Sequence, residues 1–138
     1  MAPLFQEYAN GSISQARELS IGECAGWISD RCSSGDGVFF LAKSESAIVG
    51  FATLYPGFNS ISLRQHWILN DLFVLTAYRK LGIGLRLVMH AQQHAKRGNA
   101  EYVALETAKN NTGAQALYEK LGFEEDLHYK RYYWLPDM

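Results

Sequence analysis

The stretch LFVLTAYRKLGIGLRLVM, residues 72–89, decides the fold of this chain. It begins with apolar, β-favouring residues, passes through a basic turn that contains Gly82 and Gly84, and then becomes a helical pattern. The N–H groups in the first turn of a helix have no partner inside it, and the helix dipole is positive at that end. Glycines let the main chain approach an anion without Cβ atoms in the way. The stretch therefore predicts a strand, a phosphate-sized loop and a helix that begins at an anion site.

The glycine turn differs from the two common nucleotide-binding motifs. Neither the Walker A spacing nor the spacing Gly-x-Gly-x-x-Gly occurs here. On its own, Gly-x-Gly between a strand and a helix indicates ordinary turn chemistry as readily as it indicates a ligand site. A second cluster further along the chain, NTGAQALYEKLGF at residues 111–123, favours the ligand site.

Together these two clusters resemble the signatures of the GNAT superfamily of acyl-CoA N-acyltransferases. The first signature is Arg or Gln, two residues, Gly, one residue, then Gly or Ala, and RKLGIG at residues 79–84 meets it. The second signature is Asn, two residues, Ala, two residues, Leu-Tyr and then Gly-Phe, and it is met by Asn111, Ala114, Leu117, Tyr118, Gly122 and Phe123.

The stretch HWILNDLFV, residues 66–74, looks most like the polyamine- and histone-acetyltransferase-like branch of this family.

The resemblance implies an α/β fold of the α+β kind in a single domain, residues 1–138, with a mixed twisted sheet of about six strands flanked by helices. The family usually opens with a strand, but residues 3–10 have the pattern of a helix end. That first strand is therefore predicted to be missing, either because the chain starts late or because it dispenses with the strand. The remaining pattern predicts a helix at 20–32 that begins with a capping box of Ser20 and Glu23, a hairpin of 38–42 and 47–55, and a turn from Pro56 to Ser60. It then predicts a central strand at 66–75, a helix at 84–97 that ends at Gly98, and a parallel strand at 102–107. A helix capped by Asn111 or Thr112 and a hairpin of 123–126 and 129–135 complete the pattern.

The resemblance also implies acetyl-CoA as the acyl donor. The backbone of Phe73 and Val74 would hydrogen-bond the pantetheine, Asn111 would reach the same arm, and Tyr118 would sit beside the thioester sulfur. The pyrophosphate is expected at Arg79, Lys80, Leu81, Gly82, Ile83, Gly84 and Leu85.

Tyr118 is the candidate that would assist the leaving thiolate. An ordinary tyrosine has a pKa of about 10 and an ordinary thiol one of about 8.5, so full proton transfer to the thiolate would be uphill by about 2 kcal/mol. Tyr118 is therefore expected to stabilise the thiolate by a hydrogen bond. The alternative is a tyrosine that only packs its helix against the sheet.

The general base is an open question in the sequence. Relatives acting on polyamines often have Glu-Asp near the end of the central strand, whereas this chain has Asn70 and Asp71. Asn70 cannot titrate, and strand alternation would turn Asp71 to the opposite face unless a β-bulge re-aims it. Asp71 is the preferred base, while Glu106, His66 and a chain of waters remain alternatives.

The acceptor is expected to be a primary amine, either on a small amine or polyamine or on a lysine side chain, which attacks acetyl-CoA directly in a ternary complex. Tyr55, Phe58 and Arg64 are candidates for its pocket, although each has an alternative in ordinary loop packing. Two other functions remain open: a non-catalytic acyl-CoA-binding or regulatory module, and nucleotide binding at the glycine turn.

Composition limits the partners and the location. A net charge of −1 and a pI near 6.4 give no general attraction to nucleic acid or to anionic membranes. No apolar run approaches the roughly 20 residues of a membrane span, and the N-terminus lacks a signal-peptide pattern, so a cytoplasmic protein is expected. Aromatic residues are frequent from Leu127 to Trp134, and such residues are common at dimer contacts, so a homodimer is expected, although packing in the core explains these residues about as well.

Cysteine and histidine spacing predicts neither a disulfide nor a metal site. Cys24 and Cys32 share a helical pattern that separates them by about 12 Å, so two reduced core thiols are expected. His90 and His94 lie one helical turn apart, but no carboxylate falls between them as a metalloprotease motif requires.

Overall fold

The computed structural model describes residues 1–11 and 17–136, which divide into two compact units, Met1–Glu106 and Thr107–Met138. The single domain expected for residues 1–138 stays a prediction. The helices are α1 (Ala2–Asn10), α2 (Ile21–Ser34), α3 (Ile83–Arg97) and α4 (Thr112–Lys120), and the strands are β1 (Val38–Ser44), β2 (Ala47–Asn59), β3 (Arg64–Val74) and β4 (Val103–Leu105).

The first unit is built on a mixed sheet in the order β1-β2-β3-β4. Strands β1, β2 and β3 are antiparallel neighbours, and β4 is parallel to β3, as the crossover through α3 predicts. The expectation of about six strands is wrong, because the described residues form four. Among those residues no strand precedes α1.

Helices cover both faces of this sheet. Phe51 stacks on Phe5 of α1, with ring centroids 5.7 Å apart, and belongs to a buried cluster that also contains Cys24 of α2. Gly50, the neighbour of Phe51, faces Leu87 of α3. Because adjacent strand residues point to opposite faces, α1 and α2 lie on one face and α3 on the other.

The ends of two helices match the sequence signals. Ser20 and Glu23 form the predicted capping box at the start of α2, since each side chain accepts the other's backbone N–H. Helix α3 ends at the predicted Gly98. Asn111, not Thr112, caps α4, and Gln115 donates to the carbonyls of Ala108 and Lys109.

The predicted C-terminal hairpin is absent from the described part of the chain. A carboxylate oxygen of Asp126 accepts the N–H groups of His128 and Tyr129, at 2.8 and 3.2 Å, which forms a local turn. No strand flanks that turn, and the side chains that follow it are exposed. Side-chain acceptors of this kind compete with strand pairing for backbone N–H groups.

Two smaller expectations are also wrong. A turn was expected from Pro56, but β2 continues to Asn59. Strand β1 begins opposite Leu54, so the rest of β2 is an edge on that side, and an edge tolerates proline. Cys24 is a buried free thiol as predicted, whereas Cys32 is free but exposed.

Candidate functional site

Strand β3 carries an irregularity where the sequence places Asn70 and Asp71. Thr53 of β2 pairs with Asp71, and the next residue, Leu54, pairs with Leu69, so Asn70 is left without a partner in the ladder. One unpaired residue of this kind is a β-bulge. Asn70 is exposed, while Leu69 and Asp71 are buried.

The bulge brings the side chains of Asn70 and Asp71 together. The amide of Asn70 donates to Asp71 Oδ1 at 3.2 Å, and the hydroxyl of Thr53 donates to Asp71 Oδ2. Asp71 is 7% exposed, so its carboxylate is held almost out of water by two neutral donors.

An aromatic group adjoins this carboxylate. Tyr55 lies on β2 two residues beyond Thr53, and its ring packs edge-on against Trp27 of α2 and Phe39 of β1, with centroids 6.2 and 6.5 Å away. Burial raises the pKa of the Tyr55 phenol, and the charge of Asp71 raises it further. Tyr55 is therefore a neutral hydroxyl at physiological pH, close to Asp71.

The far part of β3 offers backbone groups that β4 does not use. Strand β4 pairs with β3 only from Trp67 to Leu69, while β3 continues to Val74. Leu75 donates its N–H to Val49 of β2 at 2.9 Å. Backbone groups alternate along a strand, so those of Phe73 also face β2, and those of Leu72 and Val74 face the edge that β4 leaves uncovered.

The turn after β3 has the geometry of an anion site. Lys80 and Gly82 have φ angles of 64° and 82°, in the left-handed region, and Gly82 is the N-cap of α3. No side chain caps this helix end, and the first N–H that bonds back to the cap belongs to Arg86. The N–H groups of residues 83–85 therefore point out of the helix start, as an anion requires.

The side chain of Arg79 stabilises this turn. Its Nε donates to the carbonyl of Val74 at 2.8 Å, and its guanidinium lies 5.7 Å from the ring centroid of Phe73. One of the predicted pyrophosphate ligands is thus bonded to the end of β3. The cationic side chains of Lys80 and Arg86 are exposed beside the turn.

The two remaining predicted site residues belong to the second unit. The side-chain oxygen of Asn111 accepts the N–H of Ala114 at 3.2 Å, so this residue is the N-cap of α4. Tyr118, on α4, packs edge-on against Phe123 with centroids 5.8 Å apart. Burial raises the pKa of the Tyr118 phenol, so its proton is retained at neutral pH.

Other candidates lie at the opposite end of β3 from Asp71. His66 stacks on Tyr102, with ring centroids 4.5 Å apart, and fills the space over Gly57, where a Cβ would lie 2.2 Å from its Nε2. Arg64 donates to the carbonyls of Asn99 and Ala100. At about 3.3 Å per residue, Arg64 is about 20 Å along the strand from Asp71. Phe58 belongs to this same end and is exposed.

Sequence reasoning missed three residues that adjoin the candidate groups or the open edge of β3. Thr53 and Trp27 contact the candidate groups Asp71 and Tyr55, but both read as ordinary strand and helix residues. Leu72 directs its backbone to the open edge in place of Phe73. The register of β2 against β3 identifies Thr53 and Leu72, and that register depends on the position of the bulge. Trp27 is identified by its hydrogen bond from α2 to Tyr55.

The described residues contain neither a metal-ligand cluster nor a membrane-spanning helix. In that part of the chain, no group of three or more His, Cys, Asp or Glu side chains is able to hold a metal ion. His94 packs edge-on between Phe40 and Trp67. Over the same residues, no helix has the length and apolar character that crossing a membrane requires.

Proteins named as acetyltransferases or probable acetyltransferases are similar to this chain in sequence and in structure. Residues 5–123 match the sequence profile described as "Acetyltransferase (GNAT) family". A Bacillus subtilis protein named "Uncharacterized N-acetyltransferase YhfO" is 36% identical over 132 residues, which cover 96% of this chain and 87% of that protein. A Sulfurisphaera tokodaii protein named "N-alpha-acetyltransferase" is 33% identical over 71% of this chain and 63% of its own length.

The fold has a solved counterpart. A structure titled "Crystal structure of a probable acetyltransferase" superimposes with a TM-score of 0.85 and is 33% identical in sequence. The match covers 99% of this chain and 89% of that one.

Proposed function

Because the chain belongs to the acetyltransferase (GNAT) family, we propose that it transfers the acetyl group of acetyl-CoA to a primary amine by direct attack in a ternary complex. The family uses acetyl-CoA as its co-substrate. The acceptor in this proposal is a small amine, a polyamine or a lysine side chain, in keeping with the polyamine- and histone-like pattern of residues 66–74.

The geometry at the start of α3 is the main support for the proposed acetyl-CoA site. It combines a left-handed glycine cap, outward N–H groups and no side-chain cap, which fits a pyrophosphate bound mostly by main chain. The uncovered edge of β3 leads away from this turn, so the backbone of Leu72 and the N–H of Val74 suit an extended pantetheine arm, while the Val74 carbonyl accepts the Arg79 Nε. Phe73, proposed for that role from the sequence, directs its backbone to β2.

Asp71 is the group we assign as general base. An alkylamine with a pKa of about 10.4 is only about 0.04% neutral at pH 7, so its proton must be removed before it attacks. The Asp71 carboxylate is buried, and its partners are neutral, so no cation in those hydrogen bonds competes with the ammonium. Asn70 takes the place of a carboxylate and holds Asp71 Oδ1 instead of titrating.

Tyr118 is assigned to the leaving group. Its raised pKa keeps the phenol protonated, so it is a hydrogen-bond donor over the whole physiological range. A donor of this kind stabilises the negative charge that develops on sulfur when the thioester bond breaks. Asn111 completes the assignment as a contact to the pantetheine arm.

A panel of amines with acetyl-CoA tests the proposal. Polyamines, amino acids, aminoglycosides and lysine peptides are incubated with the protein, and released thiol and acetylated product are both measured. The proposal expects stoichiometric thiol and product with at least one acceptor. Acetyl-CoA binding without thiol release over the whole panel would favour the alternative, a non-catalytic acyl-CoA-binding module.

The proposal extends to location and assembly. We expect a cytoplasmic enzyme, which is consistent with two free cysteines. We also expect a homodimer, supported by four large aromatic side chains, all at least 70% exposed, at Tyr129, Tyr132, Tyr133 and Trp134. Light scattering of the purified protein gives the mass directly, and a monomer at micromolar concentration would reject the dimer.

A further inference from the structure

Thr53 is a polar residue in an otherwise apolar stretch of β2. From Val49 to Leu54 every residue is buried, and Thr53 has no exposed surface at all. A valine would fill nearly the same space without a hydroxyl to desolvate. A hydroxyl buried in such a place needs a hydrogen-bond partner to offset the cost of removing it from water.

That partner is the carboxylate of Asp71 on the facing strand. Thr53 Oγ1 donates to Oδ2, while Oδ1 receives the Asn70 amide, so each carboxylate oxygen is assigned to a different donor. The two donors differ in environment, because Thr53 is fully buried on β2 and Asn70 is exposed on the bulge. Thr53 therefore holds Oδ2 of Asp71 on the buried side, and Oδ1 lies toward the exposed side of the bulge.

We propose that Thr53 is a positioning residue that orients the Asp71 carboxylate for proton removal from the acceptor amine. This inference rests on the proposed function, in which Asp71 is the base. The proton passes from the ammonium nitrogen to Asp71 Oδ1, which leaves a neutral amine with a free electron pair. The amine nitrogen then bonds to the thioester carbon, the C–S bond breaks, and CoA leaves as a thiolate that takes up the second proton lost by the nitrogen. Asp71 returns the first proton to water. Thr53 keeps its own proton throughout.

A purely structural role for the same hydrogen bond gives a different result. If Thr53 only joined β2 to β3 at the bulge, its removal would change the stability of the sheet but not the turnover of the folded enzyme. Orientation instead affects the turnover number, because a misplaced base loses reactivity while the substrates still bind.

Three single variants and one double variant separate these roles. Thr53→Val removes the hydroxyl and keeps the shape, Thr53→Ser keeps the hydroxyl, and Asp71→Asn removes the base. The double variant Thr53→Val/Asp71→Asn shows whether Thr53 acts through Asp71. Each is assayed with acetyl-CoA and the fastest acceptor of the amine panel, and Thr53→Ala replaces Thr53→Val if the valine variant does not fold.

The expected result is a fall in kcat of about tenfold or more for Thr53→Val, with an unchanged acetyl-CoA Kd and with Thr53→Ser within about twofold of wild type. In the Asp71→Asn background, Thr53→Val should cause no further loss. Undiminished kcat in Thr53→Val would overturn the inference, as would an equal loss in both backgrounds.

Failure of the inference is distinguishable from failure of the proposed function. If wild type acetylates an amine but Asp71→Asn is equally fast, the proposed acetyltransferase function holds. In that case Asp71 is not the general base, and the inference about Thr53 is wrong. If wild type acetylates no amine on the panel, the proposed function fails and this inference fails with it.

Discussion

The indole N–H of Trp27 donates to the phenolic oxygen of Tyr55 at 2.9 Å and joins helix α2 to strand β2 beside Asp71. The guanidinium of Arg31 lies 4.6 Å from the centroid of the Trp27 ring and forms an ion pair with Asp36. Trp27 is thus held from two sides, and it fixes the hydroxyl of Tyr55 in turn.

Tyr55 should make the stability of the protein fall at alkaline pH. Burial, then the charge of Asp71, raise its pKa above the ordinary value of about 10. A phenol whose folded-state pKa is raised gives a stabilisation that is complete below the unfolded pKa and is lost as pH rises through the folded pKa. The free energy of unfolding in urea should therefore decline above about pH 10, and Tyr55→Phe should reduce that decline. The exposed Tyr133→Phe is the matched control, and equal slopes in all three proteins would contradict this prediction.

Tyr118→Phe should lower kcat by on the order of 10²-fold with little change in acetyl-CoA binding. The substitution removes only the hydroxyl, so the ring contact with Phe123 is kept. Steady-state kinetics and a direct acetyl-CoA titration separate the two effects. Tyr129→Phe changes an exposed tyrosine of the same unit and should have wild-type kcat. Normal turnover of Tyr118→Phe would show that the Tyr118 hydroxyl takes no part in the reaction.

Gly82→Ala should weaken acetyl-CoA binding by on the order of tenfold. A Cβ at this position meets nothing within 4 Å, so the cost comes from the φ angle of 82°, which disfavours any side chain by about 1–2 kcal/mol. Relaxation of that strain would displace the N–H groups at the start of α3.

Gly26→Ala provides the control for this substitution. Gly26 lies within α2, a Cβ there also meets nothing within 4 Å, and its φ is ordinary. Alanine should therefore stabilise the protein by about 0.5–1 kcal/mol and leave acetyl-CoA binding unchanged. Calorimetric titration of both variants provides the comparison, and equal Kd values would argue against the glycine turn as the donor site.

Gly57→Ala should destabilise the protein by about 1–3 kcal/mol, because its Cβ would lie 2.2 Å from Nε2 of His66. In a His66→Ala background the same change should be neutral or stabilising by up to about 1 kcal/mol, since glycine in a strand is otherwise unfavourable. Urea unfolding of the four proteins measures the reversal of sign. The same loss in both backgrounds would show that the imidazole is not the obstacle.

Local signals predicted the parts of this fold that depend on neighbouring residues. The Ser20–Glu23 capping box, the end of α3 at Gly98 and the helix start at the glycine turn are set by contacts within a few residues, and the structure has all three. The parallel arrangement of β3 and β4 also follows from the sequence, because a crossover helix requires it.

Features that depend on pairing between distant residues were less predictable. The sequence allowed either a regular strand or a bulge at Asn70. Only the register of β2 against β3 shows that Thr53 faces Asp71 and that the backbone groups of Phe73 face β2. The C-terminal hairpin was predicted from β-favouring residues, yet Asp126 satisfies two of the N–H groups that a ladder would use. The roles of Tyr118 and Asn111 stay predictions.

The close approach of His66 to Gly57 also limits how this sequence can vary over evolutionary time. The imidazole occupies the volume that a side chain at position 57 would need, so the two positions share one space. A lineage that gains a side chain at 57 must first shrink residue 66, whereas the opposite order passes through a clash. Among relatives of this chain, the two positions should therefore change as a linked pair.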